Sequence, residues 1–248
     1  MIDPREKKLA ELLVKYSANV QPGELVEVRG TPLAEGLLKE VYRQVLRRGG
    51  HPLLFIDLPE TDTIFYKEAS EEQLTFISPV TRMLINDFDA GIYIGAESNT
   101  RSLNLSDPEK MSKRRSVHKD LFEHSMQRAA DGDYKWVYTE YPTYSAAQEA
   151  DMDLESYADF LYSACFCDQE DPVKLWQNVH DRQEKLVNWL KDKKNVHVKG
   201  PHVDLELSIE GRTFINSDGK ENMPCGEIFT GPIEDSAEGW VRFTYPAI

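Results

Sequence analysis

The sequence predicts an α/β protein: a doubly wound, mainly parallel sheet flanked by helices, followed by the start of a mostly antiparallel β domain. Three observations carry that prediction. Helical and strand-like stretches alternate as far as about Lys194. The first strand–helix–strand unit implies a parallel pair with a right-handed crossover. From Asn195 the apolar period becomes two, with Gly or Pro between the runs. The expected domains are therefore residues 1–194, an α/β N-terminal domain, and 195–248, the beginning of a β-rich domain.

Asp3-Pro4 opens the first helix with an N-cap and a proline at the first helical position. Leu9, Leu12, Leu13 and Tyr16 follow at helical spacing. Pro22-Gly23 turns the chain into an alternating strand, Leu25 to Arg29. Gly30-Thr31-Pro32 starts a second helix by the same capping chemistry, with Leu33, Leu37, Val41 and Val45 on one face and a stop at Gly49-Gly50. The second strand, Pro52 to Asp57, is apolar enough to be covered on both faces. Thr61 to Ala69 is helical, and Ser70 with Gln73 forms a capping box for the next helix. Ala90 to Gly95 is a third strand, and Trp136 to Glu140 a fourth. Between them Asp107-Pro108 caps one long basic helix reaching about Ala130. Helices from Leu154 to Cys165 and from Asp171-Pro172 to about Lys191 complete the region, the latter with Trp176, Val179, Leu186 and Leu190 on one stripe.

Beyond Asn195, the runs Val196–Lys199, Val203–Ile209, Arg212–Ile215 and Trp240–Tyr245 alternate as antiparallel strands do. About 50 residues are too few to bury a core of their own. The last strand ends with the sequence and leaves an unpaired edge. The second domain is thus expected to be incomplete, or to complete itself by pairing with another chain.

A net charge of −14 opposes binding to nucleic acid or to an anionic membrane. The basic run Lys110–Arg115 is too short to change that and reads as a solvated helix face. No apolar run approaches membrane-spanning length and no secretory signal is visible, so a cytoplasmic location is expected. The three cysteines, Cys165, Cys167 and Cys225, read as free thiols. No strand is followed by Gly-x-Gly-x-x-Gly, and no Walker loop or Gly-x-Ser-x-Gly elbow occurs. A nucleotide-binding role and a serine hydrolase are both disfavoured.

Chemistry concentrates near the end, in Asn222-Met-Pro-Cys-Gly-Glu-Ile-Phe-Thr-Gly-Pro232. Pro224 fixes one backbone angle and Gly226 permits a turn closed to other residues. Such a frame holds Glu227 in one orientation, as a hard cation requires of its ligand. Taken bare, the same stretch is also an ordinary hairpin loop with a solvated glutamate. Asn222 and Thr230 either orient Glu227 or bond the loop backbone. Asp204 either neighbours the site or faces solvent from its strand. His197 and His202 flank a Gly-Pro turn and read as solvated. His118 and His124 lie on different faces of their helix, and His51 and His180 show no partner.

This stretch resembles the signature Asn-x-Pro-x-Gly-Glu-x-Phe-Thr-x-Pro of the thermophilic metallo-aminopeptidases, the family of aminopeptidases T, S and PepS. Every fixed position is met, from Asn222 through Pro224, Gly226, Glu227, Phe229 and Thr230 to Pro232. Glu234–Gly239, and Asp204-Leu205 with Gly211-Arg212, are similar to the family as well. The resemblance implies a cytoplasmic homodimer that removes single residues from peptide N-termini. It implies two divalent ions of zinc, cobalt or magnesium type, with Glu227 as the first metal ligand. The family's other ligands and its catalytic tyrosine lie further toward the C-terminus, beyond Ile248. The resemblance thus implies the front part of such an enzyme, inactive by itself. The alternative is a non-catalytic binding or dimerisation module on the same scaffold.

Overall fold

A computed structural model of the chain describes residues 3–245. The chain begins with α1 (Pro4–Leu12), a π-helical turn (Leu13–Ser17), β1 (Leu25–Gly30), a 3-10 turn (Pro32–Ala34), α2 (Glu35–Arg47) and β2 (His51–Ile56). Next come α3 (Thr61–Glu68), α4 (Glu71–Thr75), α5 (Pro79–Asp87), β3 (Ala90–Gly95), α6 (Pro108–Val117), α7 (Lys119–Asp131) and β4 (Lys135–Glu140). Then follow α8 (Tyr144–Glu149), α9 (Leu154–Ala164), α10 (Pro172–Leu190), β5 (Asn195–Gly200) and β6 (Val203–Ser208). The last elements are β7 (Ile215–Ser217), β8 (Asn222–Met223), β9 (Glu227–Phe229) and β10 (Glu238–Val241). Two compact units result, Met1–Val173 with Gly219–Pro224, and Lys174–Asp218 with Cys225–Ile248.

The first unit is built on a sheet whose described strands run in the order β2-β1-β3-β4-β8, all parallel. One face carries Val26, Val28, Ile92, Ile94 and Val137, all buried, and α1 and α2 pack together beside it with Leu9, Leu12, Leu37 and Val41 fully enclosed. The parallel sheet flanked by helices is the predicted class. Asp3 caps α1 by accepting from the Arg5 amide at 2.8 Å, and the Ser70–Gln73 capping box is present at α4. A fifth strand was not foreseen. β8 pairs with β4 through Tyr138–Asn222 and Thr139–Met223, and the buried Thr139 hydroxyl donates to the Met223 carbonyl at 2.7 Å.

Several local expectations are overturned. β2 is not covered on both faces: among the described strands it lies at the sheet's edge beside β1, and Leu53, Leu54 and Ile56 stay exposed. Leu33 is likewise exposed, outside the buried face of α2. Thr31 does not cap its helix with its side chain; its hydroxyl donates instead to the Ala96 carbonyl at 2.6 Å. The long basic helix is two helices that meet at His118. There the ring Nδ1–H donates to the Arg114 carbonyl at 2.9 Å, the acceptor an α-helical His118 amide would use, and the amide turns to Arg115 instead. The basic run is not simply solvated either. Lys110 Nζ donates to the Tyr66 and Ala69 carbonyls at the end of α3, and Arg114 donates to those of Leu74 and Phe76 at the end of α4. Cations thus satisfy carbonyls that helix ends leave open.

Glu6 is a buried charged group of this unit whose hydrogen bonding is incomplete among the described residues. Its carboxyl is buried, Oε1 accepts from the Tyr141 hydroxyl at 2.9 Å, and Oε2 has no partner among the described residues. Burial pushes its pKa above the ordinary carboxylate range, only partly countered by the Tyr141 hydrogen bond. A carboxyl whose folded pKa is raised binds a proton that the unfolded chain has already lost. Its contribution is complete below the unfolded value, about 4.3, and disappears as pH rises through the folded value. Glu6→Gln is therefore expected to raise stability by about 1 kcal/mol at pH 7 and by less at pH 4, since an unpaired buried charge costs more than an amide. Urea unfolding at the two pH values measures this; a loss of stability at pH 7 would sink it.

In the second unit, β5, β6 and β10 form an antiparallel sheet in the order β10-β6-β5, and β7 pairs antiparallel with β9. The strands foreseen after Arg212 and at Trp240 are shorter and shifted, Ile215–Ser217 and Glu238–Val241. The apolar stripe of α10 is covered only in its first half: Trp176 and Val179 are buried, whereas Leu186 is exposed.

Candidate metal centre

The motif from Asn222 to Pro232 is not one loop. Asn222 lies on β8 in the first unit, opposite Tyr138. The Met223–Pro224 peptide is cis, and Gly226 has φ 128°, a conformation open to glycine and strained for other residues. Glu227 then begins β9 in the second unit, opposite Ser217.

The backbone of Glu227 is tied to α10. Gln183 Nε2 donates to the Glu227 carbonyl at 3.1 Å, the Ser217 carbonyl at 3.0 Å and Asn216 Oδ1 at 2.7 Å. One side-chain amide thus joins both strands of the ribbon. Asn216 Nδ2 donates back to the His180 carbonyl at 3.2 Å and to Glu184 Oε2 at 3.1 Å. His180 Nδ1 lies 2.7 Å from Oδ2 of Asp218, which is 2% exposed, so His180 has a partner that its sequence position conceals. The Glu227 carboxylate itself is exposed.

Thr230 donates its hydroxyl to the Thr213 carbonyl at 2.7 Å. Asp204, on β6, accepts from His197 Nε2–H at 2.7 Å, and that hydrogen bond holds its carboxyl below the usual carboxylate range. His197 is therefore hydrogen-bonded rather than merely solvated. Among the described residues none of the three cysteines forms a disulfide; Cys165 and Cys167 are buried and Cys225 partly so.

A divalent ion needs several oxygen or nitrogen donors in one place. Among the described residues no group of three or more His, Cys, Asp or Glu side chains could hold a metal ion. The donors present therefore do not make a metal centre by themselves, and no reaction step is derived through one. What the second unit does provide is one carboxylate on a strand whose backbone is held from a helix. The residues that hold it, His180, Gln183, Asn216 and Asp218, escaped the sequence reading. The available signal was polar residues at helical spacing on α10, His180, Gln183 and Glu184, followed by the polar triplet Asn216-Ser217-Asp218.

Comparison with known proteins supplies the class. The family model described as thermophilic metalloprotease (M29) matches residues 2–248. The chain belongs to that metalloprotease family. It is 27% identical to aminopeptidase 2 of Geobacillus stearothermophilus and 26% identical to aminopeptidase PepS of Streptococcus thermophilus, over 96% and 97% of its length. The solved structure of wild-type AmpT from Thermus thermophilus shares the fold, with a TM-score of 0.75 and 21% identity over 95% of the chain. In each case the chain spans 63% of the relative's own length.

Proposed function

We propose that this chain serves the aminopeptidase chemistry of its relatives, the removal of single residues from peptide N-termini. In this reading Glu227 contributes one ligand to a two-metal centre of zinc, cobalt or magnesium type. The observation that carries it is the family match across the chain, joined to a motif in which every fixed position is met and whose glutamate sits on a helix-anchored strand. Metal ions, when bound, polarise the scissile carbonyl and acidify a water. This chain's own residues position a ligand: Gln183 holds the Glu227 backbone, and the Thr230 hydroxyl and Asn216 lace the ribbon around it. Asp204, on β6 of the same unit, is a further residue that this reading assigns to the neighbourhood of the centre. A cytoplasmic homodimer acting on peptide substrates is the assembly this reading expects. No helix of the described residues is long and apolar enough to cross a membrane.

A second reading, a non-catalytic module on the same scaffold, draws on the lack of a three-ligand cluster among the described residues. Metal titration of the purified 248-residue chain separates the two. The expected result is weak Zn2+ binding, with Kd about 10⁻⁴ M or above, as one carboxylate and waters allow. Glu227→Gln is expected to weaken it at least about tenfold, the scale of losing a charged ligand. Hydrolysis of an aminoacyl anilide by this chain alone is expected to be undetectable. Zinc binding unchanged in the variant would remove Glu227 from the centre and favour the module. Rapid metal-dependent hydrolysis would show a complete centre within these residues.

A further inference from the structure

A cavity of about 610 Å³ opens at the carboxyl ends of the parallel strands, lined wholly from the first unit. Its position follows from the topology. The chain passes from β1 outward to β2, then returns to β3 on the other side of β1. The segments leaving β1 and β3 therefore run apart, which is where open parallel sheets leave a crevice. The volume lies within the range of small-molecule sites.

Three residues of the lining, Arg29, Tyr93 and Tyr138, stand in register across the sheet, with Phe55 beside Arg29 on the neighbouring strand. The one guanidinium is already neutralised. Arg29 Nε donates to Glu27 Oε1 at 2.7 Å and Nη1 to Asp57 Oδ1 at 2.8 Å, while its plane lies 5.1 Å from the Phe55 ring centroid. Tyr93 donates to the second oxygen of the buried Glu27 at 3.1 Å and shares a hydrogen bond with the Tyr134 hydroxyl. Tyr138 lies over Gly95, where a Cβ would run into its hydroxyl, and donates to Glu140. Glu60 and Asp62, at the start of α3, and Glu97, after β3, also line it. Among the described residues these three carboxylates have no cationic partner.

The signs decide the ligand class. A neutralised arginine, three unpaired carboxylates and two tyrosine rings repel a phosphate or nucleotide, although nucleotides occupy this place in other doubly wound sheets. The same groups suit an ammonium ion, which carboxylates attract and aromatic faces accept. We propose that this crevice is a binding site for a small organic cation carrying ammonium groups. The proposal does not depend on Glu227 or on metal, so its failure and that of the aminopeptidase reading are distinguishable.

Calorimetric titration of the full chain with spermidine tests this. Binding with Kd below about 1 mM is expected, and Asp62→Asn with Glu97→Gln should weaken it at least about tenfold, roughly 1.4 kcal/mol. Both residues are exposed, so the double variant should melt as the parent does. A control with the same change of charge on exposed α6 and α7 residues, Glu109→Gln with Glu123→Gln, should bind within about twofold of the parent. Inorganic phosphate should not bind. Equal weakening in both double variants would mean attraction to net charge alone and would overturn the proposal. Absence of spermidine binding, or phosphate binding that the crevice variants alter, would overturn it too.

Discussion

Replacing Gly239 by alanine is expected to peel β10 away from β6 and to cost the second unit about 3 kcal/mol or more. Gly239 lies opposite Leu205 in the antiparallel pair and has φ 125°. A side chain there meets two penalties. The backbone conformation is strained for any residue with a Cβ, at about 1–3 kcal/mol. The added Cβ would also run into the Asp204 carbonyl oxygen, which is backbone and cannot swing aside. Relief requires the strands to separate, and overpacking of that kind costs a further 1–3 kcal/mol or so. Asp204, which accepts from His197 on β5, sits on the affected strand β6. Amide hydrogen exchange across β6 reads the result directly, with faster exchange at residues 203–208 expected. Unchanged protection there, together with an unchanged melt, would show that β10 and β6 accommodate a Cβ.

Gln183→Leu is the second large effect. The leucine retains bulk but removes the donor to three acceptors, Asn216 Oδ1 and the Ser217 and Glu227 carbonyls. Partly buried acceptors left without a donor cost about 1–3 kcal/mol each, tempered here by water at the exposed end, so a loss near 3 kcal/mol is expected. The consequence for the proposed centre differs from that of removing its ligand. Glu227→Gln changes an exposed carboxylate and should leave unfolding in urea nearly unchanged while weakening zinc binding. Gln183→Leu should lower stability and weaken zinc binding together, because Glu227 remains but its strand is loosened. Loss of zinc affinity without loss of stability in Gln183→Leu would refute the anchoring role.

Much of the architecture is legible along the chain because its causes are local. The apolar runs that became β1, β3 and β4, the aspartate and proline starts of α1 and α6, and the Ser70–Gln73 box all act within four residues of themselves. The change to period two beyond Asn195 marks β5 and β6 for the same reason. The motif was legible too, as a set of residue types in fixed order around Glu227.

What stayed hidden depends on partners far off in sequence. β8 spans two residues, too short for any periodicity, and is a strand only because β4 offers it a ladder. β2 has the composition of a covered strand, and only the strand order puts it at the edge. His118 breaks its helix by a local hydrogen bond that competes with helix continuation, which helical pattern does not disclose. The His180–Asp218 pair and the Gln183 anchor join residues more than thirty positions apart. The chain by itself thus determined which segments are helix or strand and which glutamate stands in the motif, since propensity, capping and order are written residue by residue. The tertiary structure alone decided which strand became an edge, where the crevice between β1 and β3 opens, and what grips the strand of Glu227, because each is a contact between segments that the sequence keeps apart.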